Sequence, residues 1–138
     1  MLQMSRKCVP YTPVAMKLAE MTVAIVSSSG VYHQEQEPFI ENGDETYRVL
    51  PGEVATAELR FKHGHYDTSE AQQDPNCMFP IDRLRELAAA GFIKKVSNKH
   101  IGFKGFSTNL KAMYEKVAPE IGNEIERSQA DAVLLTGG

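Results

Sequence analysis

Two histidines and an aspartate that could do acid–base or metal chemistry lie together in the stretch HGHYD. His63 and His65 are two positions apart, and on a strand that spacing directs both imidazoles to one face, which Asp67 could share. An imidazole suits a general acid that protonates a departing nitrogen, and it also suits a metal ligand. The sequence fixes no third ligand, so we assign no metal and keep His63 and His65 only as candidates. The remaining interpretation is a hydrogen-bonded polar cluster that orders a loop.

A run of small polar residues follows the first buried strand that the sequence predicts. Its members are Ser27, Ser28, Ser29 and Gly30. Loops at the carboxyl ends of strands line ligand sites in α/β proteins, so we predict that this run and the nearby His33 bind substrate. Neither GxGxxG nor GxxxxGK is present, which argues against a phosphate cradle. The competing interpretation is a strand-to-loop turn of small residues.

The chain has two cysteines. Cys77 precedes a predicted helix, and a thiol near a helix N-terminus can have a lowered pKa and raised reactivity, which makes it a candidate redox group. A cysteine in such a place is more often a small buried hydrophobic residue, and we favour that interpretation. Cys8 we take as incidental. Without a CxxC pair, two cysteines favour neither a disulfide-rich scaffold nor a zinc knuckle.

The elements that must position these side chains alternate between strands and helices. The continuous apolar run at 23–26 predicts a strand covered on both faces, and 131–136 predicts a second buried strand. Shorter strands are expected at 47–51 and within 55–67, followed by a loop at 68–79.

Two helices are predicted between the buried strands. One begins near Pro80 and ends at a left-handed cap on Gly91. A longer one begins at about Thr108, carries an apolar stripe from Met113 to Ile125, and should kink or restart at Pro119. The alternation predicts an α/β fold of three layers around a mainly parallel sheet, flavodoxin- or Rossmann-like.

Size and charge limit the classes of function. The 138 residues fit one domain, which we expect to comprise residues 21–138 after an irregular arm at 1–20. The net charge of −3, with scattered lysines and arginines, argues against nucleic acid as a partner. The sequence has no signal-peptide pattern and no stretch long enough to span a membrane, so we expect a cytoplasmic protein.

Five segments occur in an order that is characteristic of one family. They are VAIVSSSGVYHQEQEPF, YRVLP, HGHYD, DPNCMFPIDRLRELAAAGFI and ADAVLLTGG. Together they resemble the selenoprotein B family of glycine, sarcosine, betaine and D-proline reductases, from about Val9 to Gly138. The combination of HGHYD with NCMFPIDRL is the specific part of this resemblance.

The resemblance implies where the reactive atom lies. In that family the glycine-rich turn after the last strand leads into the catalytic selenocysteine, so Thr136, Gly137 and Gly138 are expected beside it. We expect the chain to be truncated directly before a selenocysteine codon and therefore to be inactive alone.

The resemblance also implies the chemistry. A pyruvoyl group on a partner subunit binds the amine of a small amino-acid substrate as a Schiff base. The selenolate cleaves the bond between the α-carbon and nitrogen, and thiols reset the oxidised selenium. A selenolate suits this step because it is ionised at neutral pH, where an ordinary thiol mostly is not.

The substrate and the state of the chain have alternatives. The ending TGG and the short length before it favour D-proline over glycine, sarcosine or betaine. The chain could instead be a non-catalytic binding or assembly module on the same scaffold, or a metal-dependent enzyme that uses His63, His65 and Asp67. An exposed edge strand would also allow a homo-oligomer.

Overall fold

A computed structural model describes residues 12–137 of the chain. Its strands are β1 (Thr22–Ser27), β2 (Val31–His33), β3 (Tyr47–Pro51), β4 (Leu59–Phe61), β5 (Lys95–Val96), β6 (Lys99–Phe103) and β7 (Ala132–Thr136). Its α-helices are α1 (Ser69–Gln73), α2 (Ile81–Ala89), α3 (Leu110–Ala112) and α4 (Ala118–Ser128), with a π-helical segment, Met113–Val117, between the last two. Cys8 and Gly138 lie outside the described residues.

β1 lies at the centre of a five-stranded sheet. β7 pairs in parallel along one edge of β1, while β5 and then β6 pair in parallel along the other. β3 is antiparallel to β6 and forms the far edge. The chain therefore moves outward from β1 in one direction through α2 and returns over β1 in the other direction through α4. A mixed α/β fold with a mainly parallel sheet, as predicted, is confirmed.

A histidine side chain fills the break between β5 and β6. The backbone N–H of Ile25 donates to Nδ1 of His100 at 2.9 Å, in place of a carbonyl of the neighbouring strand. His100 is fully buried, and its ring stands edge-on to Phe79. The side chain thus keeps the sheet continuous where the backbone ladder is interrupted.

The main hydrophobic core lies on the α2 face of the sheet. Val23 and Ile25 of β1 point into it, and Ile81 and Leu84 of α2 cover them. The short antiparallel pair of β2 and β4 contributes Val31, Leu59 and Phe61. The left-handed cap predicted after α2 is confirmed, since Gly91 has φ +77.

The opposite face of the sheet is covered more thinly. Glu124 of α4 pairs there with Lys99 of β6 at 3.0 Å. Val117 is buried, whereas Leu110, at the start of the predicted helix, is 64% exposed. The long helix restarts at Ala118, so that the proline at 119 falls in a first turn, where its missing N–H does no harm.

Two expectations about the elements are wrong. β7 is not buried: Leu135 is 75% exposed, because the strand pairs with β1 alone and no described helix lies over its outer side. The loop expected at 68–79 contains α1 and a 3₁₀ turn, Pro75–Cys77. Among residues 12–137, no helix is long and apolar enough to cross a membrane.

Candidate active site

The carboxyl ends of three strands meet around Ser28. Its backbone N–H donates to the carbonyl of Thr136 at 3.0 Å, and its hydroxyl donates to the same oxygen at 3.4 Å. Its own carbonyl accepts from the N–H of Gly105, just beyond β6, at 2.9 Å. Ser28 therefore links the ends of β1, β6 and β7, which are the ends where α/β sheets bind ligands.

A cluster of hydroxyl groups lies beneath this junction. Ser27 Oγ and Ser29 Oγ are 2.7 Å apart, and both side chains are fully buried. The carbonyl of Met78 accepts from Ser27 Oγ at 3.3 Å and from Thr136 Oγ1 at 2.8 Å. The buried hydroxyls of Ser27 and Ser29 satisfy each other, whereas the side chain of Ser28 is partly exposed to solvent.

Gly30 is required by the backbone. It has φ +73, and an added Cβ would lie 2.3 Å from the carbonyl oxygen of Lys62. Both facts exclude a side chain here, because L-residues rarely adopt this conformation. The four-residue run therefore divides into two buried supports, one accessible hydroxyl and one glycine turn.

The histidines of HGHYD lie in a loop and not on a strand. The N–H of His65 donates to Nδ1 of His63 at 3.2 Å, and the two rings are 5.7 Å apart. The His63 ring lies 4.6 Å from that of Tyr66, whose hydroxyl donates to the carbonyl of Ser29 at 2.5 Å. Tyr66 therefore connects the histidines to the serine cluster, although the strand geometry expected for them is wrong.

Burial and nearby charge set the protonation of this loop. Burial lowers the pKa of His63, and the ammonium of Lys104 and the ring of His65 lower it further. Because His63 Nδ1 accepts a hydrogen bond, the neutral ring carries its proton on Nε2. Burial and the nearby Cys77 raise the pKa of Tyr66, so that its hydroxyl remains a donor.

Lys104 is the residue that the sequence analysis overlooked. Its side chain is 1% exposed, and Nζ donates to the carbonyl oxygen of Ile40 at 2.6 Å and to that of Glu41. The carbonyl of Glu41 in turn lies against Gly64, between the two histidines. The sequence signal is a lone lysine inside the otherwise apolar run IGFKGF.

Asp67 does not join the histidines. It is exposed, and its Oδ1 accepts from the N–H of Ser69 at 2.9 Å at the start of α1, a bond that lowers its pKa. Among the residues that the structure describes, no three His, Cys, Asp or Glu side chains are grouped to hold a metal ion. His63 and His65 thus have no third ligand in this part of the chain.

Cys77 and His33 lie at the margins of the cluster. The thiol is exposed, so the buried interpretation is wrong, and partial desolvation, Asp74 and Glu70 raise its pKa. It directly precedes Met78, whose carbonyl holds the cluster together. His33 is on β2, with Nε2 3.8 Å from a carboxylate oxygen of Glu58, and makes none of the contacts of the serine cluster.

The end of β7 is open among the residues that the structure describes. An added Cβ at Gly137 would meet none of their atoms within 4 Å. A groove of about 680 Å³ lies at the opposite end of the sheet, where Thr22, Lys95 and Asp131 line it. We assign the site to the carboxyl ends because the hydroxyls, histidines and buried lysine gather there.

The fold and the cluster define a class: a mainly parallel α/β domain with a polar site where the direction of the crossovers reverses. A model of the glycine/sarcosine/betaine reductase selenoprotein B family matches residues 2–138. The chain belongs to this family.

Named relatives agree with this assignment. The chain is 41% identical over 128 residues to the D-proline reductase subunit gamma of Acetoanaerobium sticklandii, a match that covers 93% of the chain and 53% of that protein. It is 30% identical over 133 residues to the glycine reductase complex component B subunit gamma of Carboxydothermus hydrogenoformans, covering 93% of the chain and 30% of the relative. It is 28% identical over 107 residues to the sarcosine reductase complex component B subunit beta of Peptoclostridium acidaminophilum, covering 74% and 24%.

The chain thus spans about half the length of the first of these relatives, and less of the others. No solved structure matches the chain.

Proposed function

We propose that the chain is the amino-terminal part of the selenoprotein subunit of an amino-acid reductase, and that the carboxyl ends of β1 and β7 form part of the active site. The carrying observation is the contact of Ser28 with Thr136 beside the open end of β7, in a chain of this family. The selenocysteine is proposed to follow Gly138 directly.

The order of the strands supports a flavodoxin-like fold of three layers. Among the parallel strands, β5 and β6 lie on one side of β1, and β7, the last in sequence, lies on the other, as in flavodoxin-like sheets. Glu124 pairs with Lys99 on the face opposite to α2, which favours three layers. In such folds the ligand lies where the crossovers diverge, which here is between the ends of β1 and β7.

When present, the selenolate supplies the nucleophile that cleaves the carbon–nitrogen bond, while a pyruvoyl group on a partner holds the amine. The proposed role of this chain's residues is to position the substrate and to protonate the departing nitrogen. Ser28 offers an accessible hydroxyl, and Tyr66 fixes the loop at Ser29. The lowered pKa of His63 favours its neutral form, which donates through Nε2 but is a poor source of a full proton. We therefore propose His63 as a hydrogen-bonding group and His65 as the general acid.

Partner subunits are part of the proposal. Two of the relatives are named as components of reductase complexes, and the third as a subunit of D-proline reductase. A pyruvoyl-bearing subunit is the partner that the chemistry requires. Co-purification of the full-length protein with a second subunit that reacts with carbonyl reagents tests this point.

D-proline is the proposed substrate. Its support is the higher identity to the D-proline reductase subunit, 41% against 30% for the glycine reductase component. The assembled complex should release 5-aminovalerate from D-proline with a kcat/KM well above that for glycine, sarcosine or betaine. If activity with glycine, sarcosine or betaine were equal or greater, the assignment of D-proline as the substrate would be wrong.

Ser28→Ala in the assembled complex tests the site. Loss of one hydrogen bond to substrate should lower kcat/KM by roughly tenfold. His33→Gln is the control and should leave activity unchanged, since His33 lies outside the cluster. Activity that survives Ser28→Ala but falls with His33→Gln would place the site elsewhere.

The gene itself tests the position of the selenium. An in-frame UGA directly after the codon for Gly138, followed by sequence that matches the rest of the family, is expected. Unrelated sequence after that codon would contradict the assignment.

A further inference from the structure

β7 has the composition of an interior strand and the position of an edge strand. Its sequence, AVLLT, has no charged residue and no proline. Continuous apolar strands of this kind are typical of parallel sheets covered on both faces. In the described part of the chain β7 pairs only with β1, and Val133, Leu134 and Leu135 are 39%, 38% and 75% exposed. Natural edge strands are usually protected by charges, prolines or bulges, and β7 has none of these.

The backbone of β7 is ready to accept another strand. The Thr136 carbonyl accepts from Ser28, so it points to β1. Because successive residues of a strand direct their backbone groups to opposite edges, those of Val133 and Leu135 point to the free edge. The same two residues are in register with Ala24 and Val26, so their side chains lie on the α4 face. A neighbour that paired here would also cover the most exposed apolar side chain of the strand.

We propose that the free edge of β7 is the docking site for a further parallel strand, formed by the residues that follow β7 in the longer proteins of this family. The matched region makes up 53% of the D-proline reductase subunit gamma, so nearly half of that protein is available to supply it. Strands that are consecutive in sequence usually lie side by side, and the crossover through α4 already carries the chain to this edge. β7 then becomes an interior strand, as its composition predicts.

Hydrogen exchange on the full-length protein, kept monomeric by dilution and without its partner subunits, tests the proposal. The amides of Val133 and Leu135 should exchange as slowly as that of Leu134, which bonds to β1. A free edge would let the Val133 and Leu135 amides exchange faster by roughly 10³-fold or more, the lower limit for unfolding equilibria of small domains. Fast exchange at these two positions would overturn the proposal.

The measurement also separates the other occupants of this edge. Protection that appears only as protein concentration rises would assign the edge to a second copy. Protection that appears only on addition of a partner subunit would assign it to that subunit. Either result would overturn the intramolecular strand.

A substitution provides a second measurement that does not depend on exchange. Leu135→Lys in the full-length protein should raise the unfolding equilibrium constant roughly 5- to 30-fold, because a covered apolar site would gain a charge. Leu110→Lys is the matched control, since Leu110 is 64% exposed and lies on α3, and it should have no effect. Equal, negligible effects of the two changes would show that β7 remains uncovered and would contradict the proposal.

Discussion

The two edges of the main sheet differ in how they meet solvent. β3 carries Arg48 and ends at Pro51, and its Leu50 is fully buried. The Arg48 guanidinium lies 4.4 Å above the ring of Phe39 and donates to the carbonyl of Glu37, so the segment after β2 closes over this edge. β7, at the other edge, carries no charged residue, and within residues 12–137 it pairs with β1 alone. The contrast shows that the β3 edge is covered within the described residues. The β7 edge instead exposes apolar side chains of the kind that usually lie in a protein core.

The largest expected difference in stability is between alanine substitutions of two glycines, one on each side of the sheet. Gly102→Ala on β6 should destabilise the 138-residue chain by about 4 kcal/mol or more, because the new Cβ would lie 2.0 Å from the carbonyl oxygen of Val31. The Cβ of Gly137→Ala, beyond β7, would meet no atom of the described residues within 4 Å, and the change should alter stability by less than about 0.5 kcal/mol. Urea unfolding measures both. Similar losses would mean that the β7 side is also closely packed.

The next largest difference in stability is expected between alanine substitutions of two leucines, one on each edge strand. Leu50→Ala should cost about 2–5 kcal/mol, since Leu50 is 0% exposed and its loss leaves a cavity. Leu135→Ala, at a side chain that is 75% exposed, should change the stability of the 138-residue chain by less than about 0.5 kcal/mol. A large effect at Leu135 in this chain would show that something already covers β7.

Acid should weaken the β3 side of the sheet through His100. Burial, and then the charge of Arg85, lower the pKa of His100 from 6.5 to about 4. Above pH 6.5 the ring is neutral in both states and its contribution is complete. As the pH falls from 6.5 to 4 the unfolded chain takes up the proton first, and about 3 kcal/mol of stability is lost.

Urea unfolding at a series of pH values measures this loss. His100→Asn keeps an acceptor for the N–H of Ile25 and removes the titration, so its stability should vary less over this range. His100→Leu also removes the acceptor and should be less stable at every pH by about 1–3 kcal/mol. An unchanged acid dependence in His100→Asn would assign the loss to other groups.

The smallest expected effect concerns the cover of β3. Arg48→Ala should cost about 1 kcal/mol, through loss of the contact with Phe39 and of the bond to the Glu37 carbonyl. Arg83→Ala is the control, because its pair with Glu86 is exposed and contributes little. A loss at Arg83 as large as at Arg48 would remove the distinction between a closed edge and an ordinary surface pair.

The sequence predicted the elements whose signals are local. The continuous apolar run of β1 and the capping glycine after α2 depend on neighbouring residues alone. The buried strand predicted at 131–136 was correct as a strand and wrong as buried, because burial depends on which element lies alongside. The composition of β7 is typical of a strand with neighbours on both sides, and periodicity carries no information about which elements lie alongside.

The sequence predicted several residues that meet at the candidate site, but it did not predict how they are arranged. The serines and Thr136 do meet, since parallel strands bring their carboxyl ends together. The histidines reach them by way of Tyr66 in a loop, which no strand pattern indicates. Lys104 was missed because a buried ammonium bound to two carbonyls depends on a loop more than sixty residues away in sequence.

The way in which Lys104 is held has a consequence for work in concentrated salt. Its partners are neutral carbonyl dipoles in a place that solvent does not reach, so mobile ions screen the attraction very little. An exposed pair such as Lys111 and Glu115, at 3.9 Å, loses most of its attraction under the same conditions. The anchor at Ile40, and with it the placement of the histidine loop, should therefore persist at ionic strengths that abolish surface pairing.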